Sequence, residues 1–110
     1  MKKIFSMSLR HKVQLERRVQ VSDDAGGFAE SWEKVATLWA SIDRVRAGER
    51  YMAGLVTASA THLFRFRHVA DISPSMRLSY EGRIFNIRSI HDVGERQRIL
   101  EVYAEEGAAS

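Results

Sequence analysis

Residues 77–90 read RLSYEGRIFNIRSI. Apolar residues run up to a Glu81-Gly82 pair and resume as Ile84, Phe85, Ile87 and Ile90. Such a pair between two apolar runs is the chemistry of a two-residue hairpin, because glycine takes the positive φ that tight β-turns demand. The stretch therefore predicts two short antiparallel strands. Arg77, Arg83 and Arg88 are threaded through them. That leaves open whether the pair holds a barrel together, binds a substrate or reads a phosphate backbone.

Strand chemistry continues on both sides. HKVQLERRVQV (11–21) alternates through Val13, Leu15, Val19 and Val21, with an irregularity expected at Arg17-Arg18. In the next segment, SDDAGGF, Asp24 and the Gly26-Gly27 pair are expected to supply the positive-φ positions of a connection. SWEKVATLWASID (31–43) places Ala36, Leu38, Ala40 and Ile42 on one face and Val35, Thr37, Trp39 and Ser41 on the other. Two usable faces predict burial on both, or a barrel interior backed by an interface. THLFRFRHV (61–69) sets His62, Phe64, Phe66 and His68 against Leu63, Arg65, Arg67 and Val69. In QRILEVYAEE (97–106), Leu100, Val102 and Ala104 oppose Ile99, Glu101 and Tyr103. Pro74 falls between strands, where its missing N–H does no harm.

One segment breaks the period. RVRAGERYMAGL (44–55) allows a short helical turn limited by Gly48 and Gly54, and residues 53–60 read as a mobile loop. With about six strands and no helix long enough for a parallel crossover, the reading is all-β: a small antiparallel β-barrel or tight sandwich.

The totals agree with one domain over residues 1–110, with flexible ends at about 1–8 and 107–110. Of the 110 residues, 45% are hydrophobic and 28% charged, enough for a core and typical of a soluble protein. The absence of cysteine excludes disulfides, thiolate catalysis and Cys-based zinc sites. Neither the opening MKKIFSMSLRHK nor any later run reaches the apolar length of a secretory signal or a membrane span. Synthesis in a cytoplasm is therefore expected, with no membrane partner. The net charge of +3 is unevenly placed: Arg10, Lys12, Arg17 and Arg18 gather near the start, and Glu101, Glu105 and Glu106 near the end. That polarity suits head-to-tail contacts between copies, or docking to an oppositely charged partner; a merely solvated surface explains each end equally well.

Catalytic and cofactor chemistry finds no foothold. His11, His62, His68 and His91 form no ligand motif, and His62 and His68 lie about 20 Å apart along a strand. Asp23-Asp24 before two glycines are turn formers before they are metal ligands. The strongest functional alternative is a nucleic-acid-binding barrel, with Phe64 and Phe66 stacking on bases while Arg65 and Arg67 hold phosphates. Against it, a barrel this small needs both phenylalanines inside.

Taken in order, LRHKVQLER, DDAGGFAESWEKVATLWASI, AGERYMA, THLFRFRHVADISPSMRLSYEGRIFNIRSI and LEVYAEE resemble the phage head–tail joining family. These are the head-completion, or stopper, proteins of long-tailed phages, prophages and gene transfer agents. The resemblance spans roughly residues 8 to 106. It implies a non-catalytic β-barrel that forms a ring beneath the portal-bound adaptor, closes the DNA-filled head and presents the surface for a tail or tail-terminator protein. Packaged DNA would pass without sequence readout, and no cofactor is implied. Carried over by position, Gly48, Met52, Gly54, Leu55, Val56, Thr57 and Thr61 correspond to a channel-side loop. Trp39, Phe66, Ile87 and Leu100 correspond to scaffold. Arg10, Lys12, Arg17, Arg18, Arg65, Arg67, Glu101 and Glu105 are candidate contacts to partners or neighbouring copies.

Overall fold

The computed structural model describes residues 9–45 and 59–107. Its elements are six strands: β1 (His11–Ser22), β2 (Phe28–Arg44), β3 (His62–Arg67), β4 (Arg77–Tyr80), β5 (Arg83–Asp92) and β6 (Ile99–Gly107). A 3₁₀ turn, Val93–Glu95, follows β5. The strands close into an antiparallel barrel, the first of the two architectures expected, in the order β1-β2-β3-β6-β5-β4. The helical turn expected within residues 44–55 falls almost wholly outside the described residues.

The barrel interior is filled from every strand. Val13 and Leu15, Leu38 and Ala40, Phe64 and Phe66, Leu78, Phe85 and Ile87, and Leu100, Val102 and Ala104 are all buried there. Phe64 and Phe85 meet edge to face at 4.9 Å. Small Ala40 is the cross-strand partner of Phe66 and small Ala104 that of His62, the size alternation a narrow barrel requires.

Trp39 does not belong to this scaffold. Its side chain is 54% exposed on the outer wall. Leu38 and Ala40 occupy the inward parity of β2, and strand alternation leaves Trp39 pointing away.

Turns follow their chemistry. Glu81 and Gly82 both have positive φ, at 50° and 79°, which is what a two-residue hairpin with the sheet's own twist demands. Between β1 and β2, Asp24 and Gly26 take positive φ, at 65° and 85°, whereas Gly27 does not. The Asp23 carboxylate instead accepts from the N–H groups of Ala25 and Gly27, at 2.9 and 3.0 Å, and organises the turn.

Two irregularities re-aim the strands. The β1–β2 register shifts between Leu15 and Glu16, so Val35 is the extra residue, two positions before the site expected at Arg17-Arg18. In β5 Arg88 is extra, which moves the inward phase from Phe85 and Ile87 to Ile90.

The barrel has two unlike ends. At one end lie the start of β1, the close of β6, the Glu81-Gly82 turn and the points where the chain leaves β2 and enters β3. From the other end β1 and β2 run on as a two-stranded arm. β4 pairs β1 only through Gln14, Leu15 and Glu16, and β3 pairs β2 only from Ala40 onward. Residues 17–22 and 28–33 therefore pair only with each other. The arm gives the molecule extents of 56 × 26 × 26 Å.

Candidate assembly interface

Most charges singled out from the sequence are engaged within the chain. Arg65 donates to Glu101 at 2.8 Å, its direct cross-strand partner, and to Asp43 at 3.3 Å. Glu105 accepts from Arg88 at 2.6 Å, and Glu106 accepts two bonds from Arg83 at 2.9 and 3.0 Å. Those arginines hold both carboxyls below the ordinary glutamate range. On the arm, Arg17 meets Glu33 at 3.3 Å and Arg18 meets Glu30 at 3.7 Å. Exposed pairs such as these contribute little to stability, ~0–1 kcal/mol each. Their effect is on the surface: basic and acidic patches become alternating pairs.

At the arm's root the pairing is tighter. Arg77 donates to Glu16 at 2.6 Å, and its guanidinium lies 4.1 Å from the centre of the Trp32 ring. Arg18 covers the same ring at 5.3 Å. Trp32 was not singled out from the sequence, although its place opposite Arg18 in the hairpin is the available signal.

Arg10, Lys12 and Arg67 are different. All three are exposed, and none has an ion pair among the described residues. Lys12 is the cross-strand partner of Trp39, and the register of β2 with β3 brings Arg67 level with Trp39 on its other side. Beside them opens a cleft of about 230 Å³, between residues 37–39 of β2 and residues 66–69.

Phe64 and Phe66 have no exposed surface. Both rings lie inside the barrel, as its small size requires, and neither can stack on a base, which removes the alternative reading of FRFRH as a nucleic-acid platform. His62, on the strand face it shares with Phe64 and Phe66, is buried as well. Its ring packs edge-on against Phe85 at 5.0 Å, and its Nδ1 lies 2.8 Å from Thr61 Oγ1. His11 reaches the Tyr80 hydroxyl at 2.7 Å.

Of the loop positions, Gly48, Met52, Gly54, Leu55, Val56 and Thr57 lie outside the described residues. Thr61 belongs to the barrel wall. Its N–H donates to Ala104 O at 2.9 Å, its carbonyl accepts from Val45 N at 2.9 Å, and its hydroxyl accepts from Glu106 N at 2.8 Å. Ala60 beside it is fully buried, so the mobile loop read over residues 53–60 does not extend that far.

This is a small barrel module whose distinguishing surfaces, an arm and an exposed tryptophan flanked by cations, are suited to meeting other proteins. The sequence matches the phage head completion protein family over residues 6–107, and the chain belongs to that family. Membership makes it a structural protein of the virion, acting at head completion in association with other virion components. Among solved structures, protein SF1141 from Shigella flexneri 2a is similar at a TM-score of 0.74 and 29% identity, covering 94% of this chain and 96% of that one. A chain of the native gene transfer agent virion is similar at a TM-score of 0.61 and 28% identity, with 92% and 97% covered. No curated protein matches the sequence significantly.

Proposed function

We propose that copies of this chain form a ring at the head–tail connector, where they close the DNA-filled head and present the surface on which the tail docks. The family match over residues 6–107 carries the reading, and the similarity to a chain of the gene transfer agent virion supports it. The fold suits the role. Closure removes the open sheet edges from the barrel and leaves them only along the short arm, which limits indiscriminate pairing with other chains. Its two unlike ends allow different neighbours above and below: a portal-bound adaptor on one side, and a tail or tail-terminator protein on the other. DNA in the channel meets the ring through charge, because Phe64 and Phe66, the candidate base-stacking rings, are buried.

Complementation tests the reading. Particles made without the chain are expected to package DNA, then lose it and remain tailless. Supplying the chain in trans restores both retention and tail joining. Tailed, DNA-retaining particles formed without the chain are the outcome that defeats the proposal.

A further inference from the structure

Among the described residues three large apolar side chains are exposed: Val21 at 51%, Phe28 at 69% and Trp39 at 54%. They fall into two places of opposite charge. Val21 and Phe28 flank the tip of the arm. Val21 pairs with Ala29 and Phe28 with Ser22, so the two side chains lie on opposite faces and the tip is apolar on both. Residues 19–31 carry Asp23, Asp24 and Glu30 and no lysine or arginine. Trp39, by contrast, stands between Lys12 and Arg67 at the mouth of the cleft, with His68 in its wall.

We propose that the arm tip of one copy seats in the Trp39 cleft of the next. Phe28 packs against Trp39, while Asp23 and Asp24 approach Lys12 and Arg67. Tip and cleft are different surfaces, so each copy gives one and receives one. That head-to-tail contact closes a ring when its rotation closes. A copy cannot satisfy itself, because Phe28 and Trp39 are separated by roughly 35 Å of extended strand. The contact deepens the ring reading above and rests on it.

The chain has no cysteine, so single-cysteine variants report the contact cleanly. Asp24→Cys mixed with Lys12→Cys under oxidation should give a disulfide heterodimer several-fold above the control pair Asp24→Cys with Arg88→Cys, because Arg88 is exposed on β5, the strand opposite β2 in the barrel. Charge reversal provides the second measurement. Asp24→Lys, which spares the Asp23 carboxylate that organises the turn, should weaken self-association in sedimentation several-fold, as should Lys12→Asp with Arg67→Asp, and mixing the two reversed chains should restore it. Heterodimer no better than control, or association indifferent to both reversals, overturns the contact. The ring itself stands or falls separately, by the complementation of particles.

Discussion

Phe66 and Trp39 differ by one step of strand parity and by nearly everything that follows from it. Phe66 pairs with Ala40 and is fully buried, whereas Trp39 next to that alanine faces out. Phe66→Ala should therefore cost about 3–5 kcal/mol in denaturant melts of the isolated chain. Trp39→Ala should change stability by less than about 1 kcal/mol. Equal losses at the two positions contradict the assigned faces. The inward phenylalanines were readable from FRFRH, because charged and aromatic residues alternate there without ambiguity. Trp39 was not, since VATLWASI offers apolar residues on both parities and only closure of the barrel chooses between them. His62 makes a second prediction at this scale. Burial, mainly, pushes its pKa below the ordinary imidazole value; the Arg83 and Arg44 charges add to that, and Glu106 opposes it. The unfolded chain then binds the extra proton first, so stability should fall as pH drops below about 6.5. Glu105 and Glu106, whose carboxyls are held low by Arg88 and Arg83, lose their contribution only further down, as pH falls below about 4.3. Chemical denaturation between pH 7 and 5 should show the first slope, and His62→Gln should flatten it. An unchanged slope in that variant assigns the effect to another group.

At the scale of elements, turn chemistry and bulges decide what the sequence reveals. Glu81-Gly82 announced its hairpin because few residues other than glycine fill the required φ. The bulge at Arg88 also left a trace: Phe85, Ile87 and Ile90 are spaced two and then three apart, as an inward face must be when one residue is extra. The arm left none. Its alternation through Val19 and Val21 looks like that of a buried strand, and its exposure follows from β4 being only four residues long. A ribbon with no third strand is marginal in water by itself. In the isolated chain, the arm's cross-strand amides over residues 17–22 and 28–33 should exchange with deuterium far faster than those of Phe64, Phe66, Leu100 and Val102. Comparable protection in both sets signals that the arm is already held, and self-association at the concentration used is the first cause to examine. The candidate contact residues divide the same way. Sequence picked the charged positions, but pairings such as Arg65 with Glu101 depend on register between strands far apart in the chain, so it did not separate engaged residues from Arg10, Lys12 and Arg67.

At the scale of the molecule, three facts converge. The barrel is closed, its two ends are unlike, and its exposed apolar side chains sit where opposite charges face outward. Each suits a part that is repeated around an axis and sandwiched between different neighbours. Imaging the head–tail connector of purified particles by electron cryomicroscopy, with averaging around the channel axis, tests this most directly. The expected image is a closed ring of these barrels between the portal-bound adaptor and the tail, each arm reaching the adjacent copy. Barrels present singly, or located away from the connector, contradict it.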